Sequence, residues 1–263
     1  MVQTEELEAP ALARRKLPLP WLIGVIFRPG KTMRAIAAEE RGVWFLPLLL
    51  LTLLTVAHVL VAGPLRKEAA LAAPGEPPPN FEYMSPEQQE QYNQAQQSKA
   101  SFTMTTLFPG IGALLSLWMG WFVLGGILHL ALTLLGSRST TTTAFNLAAW
   151  ASVPFAIRLI VQIIAMLSTH RLIGSPGVSG FIAADATGAL MYVRIALSLV
   201  DLYLIWQLIL LVIGAASIPG LTTGKALSGV LTSVVLMLVL AALPGFIGAQ
   251  LSGLDVNRSF FFF

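Results

Sequence analysis

Cysteine is absent from the sequence, which removes disulfide frameworks and thiol chemistry and leaves the redox state of the compartment unmarked. Charge is scarce as well. Asp, Glu, Lys and Arg make up 11% of the 263 residues, against about a quarter in an ordinary soluble domain. So few charges cannot cover a water-exposed surface, and the remaining chain is 56% hydrophobic. The composition points to an integral membrane protein. Histidine is nearly missing: three residues, no HxxH or HExxH spacing and no second carboxylate close by in sequence, so no metal, cofactor or catalytic residue is assigned.

Long apolar runs are what the chain does have. Val43–Gly63, Leu107–Leu135, Ala144–Ser168, Ala189–Ile213 and Ala226–Gln250 each reach the ~20 residues a membrane helix needs. The first is too long and too late for a cleaved signal peptide, so it is expected to act as an uncleaved targeting segment. An unpaired backbone cannot sit in lipid, so the expected fold is an all-α integral membrane protein with five transmembrane helices. Before them, the apolar run Leu17–Phe27 is too short to span, and with the segment that follows it forms the element 17–41. It starts a helix at Pro29 and alternates basic with apolar residues, and so reads as an interfacial amphipathic element with Lys31, Arg34 and Arg41 among lipid headgroups. The expected organisation is a cytoplasmic tail and interfacial helix over 1–42, a membrane domain over 43–250 and a hydrophobic outer tail over 251–263. Residues 64–106 form a polar outer arm, in which Ser85-Pro86 starts a helix after a proline-rich linker.

With the N-terminus inside, inner segments hold nine basic residues and outer segments five. The positive-inside rule therefore places the N-terminus in the cytoplasm and the C-terminus outside a plasma membrane. The basic residues cluster before residue 42 without a stripe of interleaved aromatics, which fits an anionic lipid surface and not nucleic acid.

Asp201 stands in the apolar run Ser198–Gly214 as its one charged residue. Taking spans three and four as straight antiparallel helices, Arg158 lies ~21 Å and Asp201 ~18 Å from the inner ends. Matching depth predicts a pair. Arg194 precedes Asp201 by seven residues and should share its helix face, Gln162 lies one turn beyond Arg158, and His58 is near mid-depth of the first span. Three roles fit this polar network: a structural pair fixing helix register, a transport or proton-relay site, and a surface for a partner subunit.

Two apparent enzyme motifs carry little. Gly177–Gly180 (GVSG) is similar to the serine motif of rhomboid proteases, but no histidine follows His170. Gly220–Ala226 (GLTTGKA) is one residue short of a phosphate loop and ends in Ala; a membrane-edge turn with Lys225 at the headgroups explains it better. Phe260, Phe261, Phe262 and Phe263 end the chain as an apolar tail suited to the outer interface or a partner.

The order of FRPGKTMRAI, MSPEQQEQ, GSRSTTTTAFNLAAWASVPFAIRLI, DLYLIWQLILLVIG and LTTGKAL resembles the Yip family of five-span Ypt/Rab-interacting membrane proteins, in particular its prokaryotic branch. The matching residues include Asn146, Ala149, Pro154, Asp201, Trp206, Gly214, Lys225 and Ala226. The resemblance implies a cytoplasmic N-terminus, five helices and no known enzymatic activity. It also implies partners: some prokaryotic relatives sit beside ABC-type exporters and their adaptor-like proteins, and the compact loops suit a bacterial chain. The long soluble N-terminal region of eukaryotic members is absent here, which argues against GTPase binding. The leading functional expectation is a non-enzymatic accessory or scaffold subunit of a membrane assembly such as an ABC-type exporter. The alternatives are a small transporter or channel using Arg158, Asp201 and His58, and a membrane-shaping protein.

Overall fold

The computed structural model describes residues 18–72, 80–174 and 177–252, and among these it is helical with no β-strand. Four helical columns are long and apolar enough to cross a membrane: α3 (Phe45–Ala72), α5 (Phe108–Leu134) with the π-helical turn Thr103–Leu107 before it, the stacked pair α6 (Thr141–Ala151) and α7 (Val153–Thr169), and α10 (Thr223–Ser252). A bent pair, α8 (Gly188–Ser198) and α9 (Leu202–Ala215), makes a fifth crossing if it is counted as one span. The helices α1 (Leu19–Phe27) and α2 (Pro29–Ala37) precede the bundle, and α4 (Pro86–Lys99) stands in the connection between α3 and α5.

The expected fourth span therefore differs from a straight rod: its two halves meet at 70°. Asp201 is the cause. Its extended backbone (φ −138°, ψ −177°) cannot continue α8, and its side chain caps α9 instead. The third span is interrupted more gently at Ser152, because Pro154 has no N–H to donate to the Trp150 carbonyl. Ser152 Oγ donates to Ala148 O at 2.8 Å.

The N-terminal element is two helices, not one. Pro29 opens α2 as the sequence suggests, and the hairpin closes tightly at Gly24, where a Cβ would stand 2.5 Å from Thr32 Oγ1. Val25, Met33 and Ile36 are fully buried, and Trp21 meets Trp150 edge-on at 5.6 Å. Much of the apolar surface read as lipid-facing is thus taken by the bundle, chiefly α6 and α9. Leu19, Ile23 and Phe27, four residues apart on α1, remain exposed as an apolar stripe suited to lipid. Lys31, Arg34 and Arg41 are exposed too, with Arg34 Nε donating to Gly30 O.

A clasp fastens this hairpin to the bundle. The fully buried Asn146 accepts from Val43 N–H at 2.9 Å and donates to Arg41 O at 2.7 Å, while Trp150 Nε1 donates to Val43 O. An aromatic layer of Trp44, Trp118, Trp121 and Phe145 continues from it, with Trp121 Nε1 donating to Phe145 O.

At the opposite end of the bundle, α3 runs past Gly63, through Pro64, to Ala72, so Arg66 belongs to a helix and not to a loop. Gly63 permits the contact with Thr106 that holds this end against the π-helical turn. Helix α4 starts as the sequence predicts, with Ser85 and Gln88 forming a reciprocal capping box, yet it buries no residue.

Candidate functional site

The break at Asp201 builds the polar centre. Asp201 Oδ1 accepts the Leu204 N–H at 2.9 Å, and Oδ2 lies 3.1 Å from Arg158 Nη1. One carboxylate thus starts α9 and answers the half-buried cation of α7. The two side chains are 23% and 15% exposed for Arg158 and Asp201. Carbonyls freed at the end of α8 also need donors, since none can come from solvent inside a bilayer. Val178 N–H supplies one, 3.1 Å from both Leu197 O and Val200 O. This approach requires Gly177: its φ is +55°, and a Cβ there would stand 2.5 to 2.7 Å from three carbonyl oxygens. The GVSG stretch is therefore a backbone plug for a broken helix, and Ser179 sits in the short 3-10 turn that follows.

Arg194 is not part of this centre. The bend turns α8 away from the axis of α9, so the shared face inferred from a seven-residue spacing does not exist, and Arg194 Nη1 donates to Ala184 O at 3.1 Å. The GLTTGKA stretch is a turn running into the first residues of α10: Gly220 has φ +88°, and Thr222 Oγ1 accepts from Lys225 N–H.

Beside the Arg158–Asp201 pair lies a cavity of about 430 Å³ between α3, α5, α7, α9 and α10. Most of its wall is apolar, including Leu48, Leu51, Leu117, Leu124, Met237 and Leu238. Arg158, Gln162 and His58 reach it, as the sequence suggested for a shared interior, whereas Asp201 is not part of the lining. Five polar residues not anticipated also line it: Thr55, Arg66, Ser116, Ser152 and Gln207. Gln207 Nε2 donates to Ser152 Oγ at 2.9 Å, tying α9 to the kink of the third span. Arg66 Nη1 donates to Thr105 O. His58 Nε2 is buried and has no hydrogen-bond partner among the described residues. Among those residues no group of three metal-ligating side chains occurs.

Arg66 was hidden because the first apolar run ends at Gly63 and residues 64–106 read as the outer arm; the helix formers Leu65–Ala72 after Pro64 were the available signal. Gln207 carried a weaker one, as the amide within the apolar α9.

A sequence model of the Yip1 domain matches residues 23–243, from within α1 to within α10, and so takes in the clasp, the bend and the cavity together. The chain belongs to the Yip family. It is a multi-pass, helical membrane protein of that family, and the resemblance read from its motifs holds over most of its length. No curated protein and no solved structure matches this Yip-family chain. Phe260 to Phe263 lie outside both the matched region and the described residues.

Proposed function

We propose that this Yip-family chain is a non-enzymatic accessory or scaffold subunit of a plasma-membrane assembly, with its N-terminus cytoplasmic and α4 on the outer side. One observation carries the reading. Helix α4 is fully formed and capped, yet buries no residue, and its contacts run mainly to α3, the π-helical turn and the short stretch 81–84 before it, where Gln89 Nε2 donates to Phe81 O and Tyr92 meets Phe81 edge-on. A helix polar on every face gains nothing from a core of its own, and such helices serve as bridges between bodies. The docked α1–α2 hairpin offers a second surface on the other side, with Lys31 and Arg34 outward. The assembly we propose is an ABC-type exporter with its adaptor-like protein, the setting implied by the prokaryotic relatives.

Photo-crosslinkers placed at Gln91 and Gln94 in native membranes test this. The expected product is a discrete adduct identified as an exporter or adaptor subunit. Adducts to lipid alone, together with a chain that purifies alone from mild detergent, would refute it.

A second reading, a small transporter or channel, draws on the cavity and its Arg158, Gln162 and His58 lining. It requires Asp201→Asn to abolish solute flux in proteoliposomes while the fold is retained.

A further inference from the structure

The cavity is built asymmetrically. At ~1.5 Å per residue from the α2-side ends of their columns, His58 stands at ~20 Å, Arg158 at ~26 Å, and Arg66 and Gln162 near ~32 Å. The leucines from α3, Leu48 and Leu51, lie within ~10 Å of that same end. The lower wall is thus mainly apolar, crossed by the hydrogen-bonded pair of Ser152 and Gln207, and the upper part is richer in cationic donors. His58, Arg66 and Arg158 all line this one space, so the three basic side chains share one region. Among the described residues no carboxylate lines the space. The buried, unpartnered His58 Nε2 is a further polar atom at that wall. A volume of about 430 Å³ is within the range of pockets that take small ligands, which are largely apolar with a few converging polar groups.

We propose that this cavity binds an anionic membrane amphiphile, its phosphate held by Arg66 and Arg158 with Gln162, and part of an acyl chain directed down the leucine-lined wall. The chemistry follows from the donors. Planar guanidiniums present N–H forks that match phosphate oxygens, and they are more weakly hydrated than ammonium groups, which suits a site at membrane depth. The Asp201 carboxylate, itself outside the lining, holds Arg158 at 3.1 Å, so the guanidinium is positioned before any ligand arrives. A zwitterionic lipid offers the same phosphate but brings its own cation towards two arginines. Selectivity for net negative headgroups follows.

Native mass spectrometry of the full chain in mild detergent, titrated with phosphatidylglycerol or phosphatidylcholine, tests the proposal. The expected result is one retained phosphatidylglycerol at saturation, with at least tenfold preference over phosphatidylcholine. Arg66→Gln should lower that retention about tenfold, Arg66→Lys should restore part of it, and Ser116→Phe, which fills the cavity wall, should abolish it. Lys67→Gln, a charge change at the exposed neighbour, should leave it unchanged. Equal retention of both lipids, or wild-type retention by both Arg66→Gln and Ser116→Phe, would overturn the proposal in favour of annular lipid. Displacement of phosphatidylglycerol by millimolar inorganic phosphate would overturn the lipid assignment in favour of a free anion.

Discussion

Replacing Asp201 separates two tasks that its carboxylate performs at once, capping α9 and answering Arg158. Asparagine keeps the cap, since Asn and Asp are equally good N-cap residues, and removes only the charge. Alanine removes both. Loss of one member of a fully buried pair costs about 3–5 kcal/mol, and exposed pairs contribute about 0–1. With side chains 23% and 15% exposed, this pair falls between, and Asp201→Asn should cost roughly 2 kcal/mol. Asp201→Ala should cost about 1 kcal/mol more, the usual worth of a cap. If the cost of Asp201→Asn comes from a stranded guanidinium, then Arg158→Gln placed on top of it should recover most of the loss, with a coupling energy above ~1 kcal/mol. Unfolding of the purified protein by SDS titration, read across the four members of the cycle, measures each quantity. Equal costs for Asn and Ala would show that the cap is not operating. Additive single and double variants, within ~0.5 kcal/mol, would refute the pairing as a source of stability.

Two further perturbations follow from backbone contacts. Gly177→Ala forces a Cβ into the left-handed region, at a cost of about 1–2 kcal/mol, and against three carbonyl oxygens besides. Hydrogen exchange at Val178 and through Leu199–Asp201 should therefore rise by tenfold or more, while exchange in α3 and α5 stays unchanged. Asn146→Leu leaves the Val43 N–H and the Arg41 carbonyl without partners, about 1–3 kcal/mol for each buried group. Trypsin cleavage after Arg41 should then accelerate at least tenfold, and an unchanged rate would show that the clasp does not hold the hairpin.

Local signals in the sequence were legible where one residue type has one dominant use. Pro29 and Ser85-Pro86 start helices where they were expected to, and the columns follow the apolar runs. Depth arithmetic brought Arg158 and Asp201 together even though its straight-helix premise fails. That success has a physical reason: the bend lies at Asp201 itself, so α9 keeps the regular rise on which the estimate rests. Beyond the bend the same premise misplaced Arg194. The bend was hard to see because an Asp in an apolar run reads equally as a charge seeking a partner and as the cap of a new helix. Only the donor from Val178, distant in sequence, makes the second possible. Arg66 was missed for a related reason, since continuation of α3 past Pro64 depends on packing between Gly63 and Thr106.

The bend also bears on how the chain enters a membrane. To the insertion machinery Gly188–Ala215 presents one predominantly apolar segment, charged only at Arg194 and Asp201 and long enough to cross as a straight helix. The groups that make a broken form tolerable, the Arg158 guanidinium and the Val178 N–H, both precede Asp201 in the chain. They have therefore left the ribosome before the segment arrives. Vectorial synthesis thus delivers the partners first, and Asp201 can reach its cation as soon as it enters the bilayer, without waiting for α10 to be made.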